Sequence, residues 1–98
     1  MFPSHDRVGE AEIAKENDLM VRAGLIKSWD RQVRIDLEIN GEKMGNKYYV
    51  DFMREYPDGI IEYVEVKGFV TADWKLKWKI FEAMYKNRPD VQLTVIKV

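Results

Sequence analysis

Asp51, Glu65 and Lys67 are the residues of this chain whose types and spacing suit chemistry. Glu65 and Lys67 close the run "IIEYVEVKG", and successive residues of an extended strand point to opposite sides. Ile61, Tyr63, Glu65 and Lys67 therefore share one face, and Val64 and Val66 the other. Asp51 stands inside "YYVDF", where a carboxylate among Tyr48, Tyr49, Val50 and Phe52 is costly to bury without a partner. The turn signal "PDG" at 57–59 folds the two stretches into a hairpin, bringing Asp51 opposite the segment with Glu65 and Lys67. Two carboxylates in one place can hold Mg2+ through hard oxygen ligands, with water and a phosphate oxygen completing an octahedron. Lys67 would then hold or help deprotonate an attacking water and stabilise the charge of the transition state. The plainer alternative is a cross-strand ion pair of Asp51 or Glu65 with Lys67. The E-x-K triplet alone decides nothing, since roughly one arises by chance in a chain this rich in Glu and Lys. Its place at the end of a strand carries the weight.

The elements that must position these residues follow from the pattern. Residues 7–23 read as a helix ending at Gly24, where a left-handed cap is easy. "SWDRQVRIDLEI" alternates through Val33, Ile35, Leu37 and Ile39 and reads as a strand, "NGEKMGN" as a loop, and "KYYVDFMREY" as a second strand. The third strand follows the turn at 57–59. Thr71 can cap a helix from Ala72 to Lys86, stopped by "NRPD", and "VQLTVIKV" makes a fourth strand. The order α-β-β-β-α-β predicts an α/β fold. Three strands form an antiparallel meander, a right-handed crossover sets the fourth parallel to the third, and helices flank a mixed four-stranded sheet.

Ninety-eight residues predict one domain over 1–98. The absence of Cys excludes disulfides, thiolate metal sites and Cys nucleophiles, so any metal must be held by oxygen. With no basic leader running into an apolar stretch and no run long enough to cross a bilayer, a soluble, cytoplasmic protein with no membrane partner is expected. The net charge of −1 argues against a general polyanion binder. Its distribution is uneven, however: residues 67–88 carry six Lys or Arg against two acids, a local charge of +4. A basic arm beside an acidic pocket suits an enzyme that acts on a phosphate polymer through cations, although uneven solvated faces would look the same.

With Asp51 and Glu65-Val66-Lys67 on the second and third strands of such a core, the chain resembles the PD-(D/E)-x-K nuclease superfamily. More narrowly, "RAGLIKSWDRQVRIDL", "YYVDFMREYPDG", "EYVEVKGF" and "KLKWKIFE" are similar to a family of small phage and prophage proteins assigned to it. Val50 stands where the superfamily motif has Pro. The resemblance, from about Arg7 to Val95, implies a restriction-endonuclease-like fold and an endonuclease in the host cytoplasm that hydrolyses DNA phosphodiester bonds with Mg2+, with Mn2+ as a substitute. It implies Asp51, Glu65 and the Val66 carbonyl as metal ligands, and Lys67 as base or water-positioning group. A chain of 98 residues has no room for a separate recognition domain, which argues for structure-selective cutting, of a junction or flap, or for nonspecific cutting. The rival expectation is the same fold with an inactive site, serving as a nucleic-acid or protein adaptor.

Of the first-helix acids, Glu10 falls on the inward side with Ile13, Ala14 and Asn17, whereas Glu12 and Glu16 fall opposite. Superfamily members commonly bring an acid from this helix to the metal, which makes Glu10 the candidate; its position in the first turn also allows a mere dipole complement. The second helix gathers Trp74, Leu76, Trp78, Ile80, Phe81, Met84 and Tyr85 on an arc wider than one sheet face needs, and a homodimer would use the excess. Lys75 and Lys79 lie opposite and suit phosphate contacts, while Lys77 falls inside the arc, able to reach the site or to snorkel. Whether Gln32, in "RQVRI", faces the site is not decided by position alone, and His5 reads as a surface or helix-entry group and not a ligand. Removing Asp51 or Glu65 should relieve repulsion and leave the metal-free fold no weaker.

Overall fold

In the computed structural model, which describes residues 5–98 and their side chains from Gly9 onward, the chain runs α1 (His5–Arg22), β1 (Ser28–Ile39), β2 (Glu42–Glu55), β3 (Ile61–Lys67), α2 (Ala72–Met84) and β4 (Val91–Lys97). The sheet order is β1-β2-β3-β4, antiparallel for the first two pairs and parallel for β3 and β4, as the order of elements predicts. Helix α1 ends because Gly24 takes a φ of 76°, allowing Gly24 N–H to reach the Val21 carbonyl and Leu25 N–H that of Met20. Thr71 starts α2 by accepting the Trp74 N–H at 3.1 Å.

The helices lie on opposite faces. Trp78 and Phe81 of α2 pack on Ile35, Leu37, Tyr48 and Val50, joined by Tyr63. Ile13 of α1 packs on Phe52, Val64 and Val66. Tyr63 and Val64 are neighbours in β3, so these two clusters sit on the two sides of one sheet.

One loop is shorter than the sequence suggests. Residues 40–46 are not a loop: Asn40 (φ 52°) and Gly41 (φ 82°) make a two-residue turn, with Ile39 paired to Glu42 and Glu38 to Lys43. The register then shifts between Asp36 and Glu38, where β2 carries Met44, Gly45 and Asn46 against Leu37 alone. That bulge, with Gly45 at φ 78°, put extra polar residues inside a strand and hid it from a reading by alternation.

The β2–β3 ladder, set by the turn at 57–59, runs from Glu55–Ile61 to Phe52–Val64 and stops there. Immediately beyond lies Asp51. On the other side, β1 and β2 stay in register through Arg31–Phe52 and Val33–Val50 but skip the Gln32–Asp51 pair, where Gln32 takes a φ of 53°. Both strands change face across this point: Trp29 and Phe52 belong to the α1 side, Val33 and Val50 to the α2 side. The backbone at Asp51 is thus released from both ladders.

Candidate active site

Asp51 and Glu65 take the place of the ladder where β2 and β3 part. Asp51 Oδ2 accepts the Val66 N–H at 2.8 Å, and its Oδ1 lies 3.4 Å from Gln32 Nε2. Glu65 Oε1 in return accepts the Asp51 N–H at 3.3 Å. The two acids are therefore fixed against one another by each other's strand. Gln32 faces Asp51, which its position in the sequence leaves open.

Glu65 is 3% exposed, and its other oxygen is held as tightly. Oε2 accepts the Trp74 indole N–H at 2.9 Å and lies 3.6 Å from the Lys67 ammonium. The same indole N–H lies 3.0 Å from the Tyr48 hydroxyl, and the Lys67 ammonium sits 5.1 Å from the centre of the Trp74 ring. Burial first, then the Asp51 carboxylate, push the Glu65 carboxyl above its ordinary range, against the pull of Lys67, the Tyr48 hydroxyl and the Asp51 N–H. Burial, then the charge on Glu65, raise the Tyr48 hydroxyl far above its usual value, so it stays a protonated donor.

This donor set fits a hard cation. The oxygens are carboxylate, and Glu65 is pushed upward by burial and then by the Asp51 carboxylate beside it, which a bound cation would offset. The Val66 carbonyl is available as well. Lys67's carbonyl accepts the Val98 N–H on the β4 side, so that of Val66, one residue back, turns with its own N–H toward β2 and Asp51.

Other candidates fall elsewhere. Glu10 has its carboxylate 3.9 Å from Arg31, whose guanidinium lies over Phe52. Among the described residues no three acidic, imidazole or thiol side chains converge as a metal-holding group, so Glu10 does not complete a triad with Asp51 and Glu65 in this conformation. Glu12 and Glu16 are exposed, as the wheel predicts, and Glu16 reaches Arg54. Lys77 pairs with Asp73 at 3.3 Å, one turn back, and not with the two acids; Lys75 and Lys79 are exposed. Leu76 is turned out of the core, 61% exposed. The side chain of His5 lies outside the described residues.

Two groups of residues escape a reading by motif. Tyr48 and Trp74 reach Glu65 only because α2 docks across β2, and nothing local signals it. Arg54 and Glu62 form a second buried network on the α1 face. Arg54 Nε donates to Asn17 Oδ1 at 2.7 Å and Nη1 to Glu62 at 3.2 Å, while Tyr56 and Thr94 hydroxyls donate to Glu62 at 2.6 Å each. Here a signal existed: Arg54 and Glu62 are cross-strand partners about the turn at 57–59.

A groove of about 930 Å³ opens between the β1–β2 arm and the end of α2, lined by Arg34, Ile39, Tyr63, Lys79, Met84 and Arg88 among others, and it includes none of Asp51, Glu65 and Lys67.

A family model described as "Protein of unknown function (DUF1064)" matches residues 3–98, so the chain belongs to that family. No curated protein and no solved structure matches.

Proposed function

We propose that this member of the DUF1064 family is a Mg2+-dependent endodeoxyribonuclease, acting on DNA phosphodiester bonds with selectivity for a structure such as a junction or flap. One observation carries the reading. The β2–β3 ladder ends at Phe52–Val64, and the next residues on each strand are carboxylates turned into the gap, with an ammonium group beside them.

Asp51, Glu65 and the Val66 carbonyl hold the cation, Mg2+ or Mn2+. When bound, the ion supplies positive charge at the scissile phosphate and acidifies water. Lys67 does the rest from its place on Trp74: it orients the attacking water, takes part in removing its proton and stabilises negative charge as the P–O bond breaks. Glu10, whose helix packs beside Val66, accepts a hydrogen from water at the site. Lys75, Lys77 and Lys79 approach the DNA backbone, whose phosphates they neutralise. Leu76, exposed on α2, gives a second copy of the chain a surface to cover. No helix among the described residues is long and apolar enough to cross a membrane, and the proposed location is the cytoplasm.

The test is incubation of purified protein with plasmid and with synthetic four-way junctions, with Mg2+ or with EDTA. Cleavage that needs the ion, is lost in Glu65→Gln and is lost in Lys67→Ala while metal binding persists is the expected result. A folded protein that cuts no DNA with Mg2+ or Mn2+ favours the other reading, an inactive nuclease-fold adaptor. What speaks for that reading is that both Glu65 oxygens already have protein donors.

A further inference from the structure

The start of α2 is tied to the two acids through one side chain. Trp74 is the residue whose backbone N–H the Thr71 cap accepts, so its place is set by the helix start. Its ring stacks on Trp78, at 5.5 Å and 23°, and Trp78 is itself buried in the core. From that seat the indole N–H meets Glu65 Oε2 at 2.9 Å and the Tyr48 hydroxyl at 3.0 Å, and the ring carries the Lys67 ammonium at 5.1 Å. An indole has one N–H to give. Packing alone would ask for one acceptor, and Tyr48 already supplies it. The placement against Glu65 as well leaves Tyr48 free to turn its own hydrogen to the same carboxylate.

Resting on the nuclease reading, we infer that Trp74, with Tyr48 as its relay, is a positioning residue for the cation. The indole N–H and the hydroxyl fix the Glu65 carboxylate in the rotamer that faces Asp51. Neither group touches the ion or the phosphate. Donors in this position around metal-binding carboxylates are commonly worth about 10–100-fold in metal affinity.

Trp74→Phe keeps an aromatic face under Lys67 and removes the N–H; Tyr48→Phe removes only the hydroxyl. Mn2+ binding to the full chain, read by electron paramagnetic resonance of the free ion, needs no DNA and no turnover. The expected result is Mn2+ affinity weakened about 10-fold or more in Trp74→Phe and less in Tyr48→Phe. The double variant should be weakened by less than the product of the two, because both act on one carboxylate. Cleavage by Trp74→Phe should recover when Mn2+ is raised in proportion, which loss of a catalytic group would not permit. Wild-type affinity, or a tighter one, in both single variants overturns the inference and leaves the nuclease reading standing. A wild-type chain that binds no Mn2+ overturns both. If Trp74→Phe does not fold, as judged by circular dichroism in EDTA, Tyr48→Phe carries the test with the same criterion.

Discussion

Asp51 has two duties that different substitutions separate. Its charge is assigned to the proposed cation site, but its Oδ2 is also the acceptor for the Val66 N–H, at 2.8 Å, on a residue only 4% exposed. Asp51→Ala leaves that donor unsatisfied, which costs about 1–3 kcal/mol. For a domain of this size the melting temperature should fall by about 4–8 °C per kcal/mol. The expectation from sequence is that removing an acid only relieves repulsion; the Val66 hydrogen bond adds an opposing cost for alanine, because the carboxylate stands in for a missing ladder bond. Asp51→Asn retains an oxygen for Val66 and turns its amide toward Gln32, whose own amide can flip to accept. Without metal this variant should melt at or above the wild-type temperature. Saturating Mg2+ at about 100 times Kd should stabilise the wild type by about 2.7 kcal/mol, or roughly 10–20 °C, and leave both variants unmoved. Thermal unfolding followed by circular dichroism, in EDTA and in Mg2+, gives all six temperatures. If Asp51→Asn in EDTA falls as far as Asp51→Ala, the charge itself is structural and the cation-site argument is wrong.

Burial and then Asp51 hold the Glu65 carboxyl above its ordinary range, so that only between that range and the raised value does folding take up a proton. In EDTA, between that ordinary range and the raised value, wild-type stability should therefore fall as pH rises, relative to Glu65→Gln; a difference in melting temperature between the two that stays flat with pH refutes this. Arg54→Met removes the cation from buried Glu62 and the partner of Asn17, so it should cost about 3–5 kcal/mol, and roughly 12 °C or more of melting temperature, by the same unfolding assay. A loss below about 1 kcal/mol would show that Tyr56 and Thr94 suffice. Glu10→Gln should slow cleavage by about 10-fold or more, while Glu12→Gln, exposed on the far side of α1, cuts junctions at the wild-type rate; equal rates for both would remove Glu10 from the site.

The sequence alone determined the order of elements and the meeting of Asp51 with Glu65 and Lys67. The reason is local. A turn at 57–59 fixes the count of residues on either arm, and period-2 alternation fixes which of them share a face. The same count would have paired Arg54 with Glu62. The cap at Thr71 and the end at Gly24 are likewise written in single residues whose conformations have few alternatives. Beyond that, tertiary structure decided. The release of Asp51 from both ladders depends on β1 and β2 changing face together at Gln32, a twist that no residue type at those positions announces. Lys77 and Glu10 took Asp73 and Arg31 as partners within reach of a flexible stem, a choice that helical angle cannot make. Trp74 and Tyr48 converge on Glu65 from a helix and a strand that only the docking of α2 on the sheet brings together. Periodicity reports which side of an element is apolar, whereas how far and at what angle two such sides slide before they lock is set by side-chain packing between them.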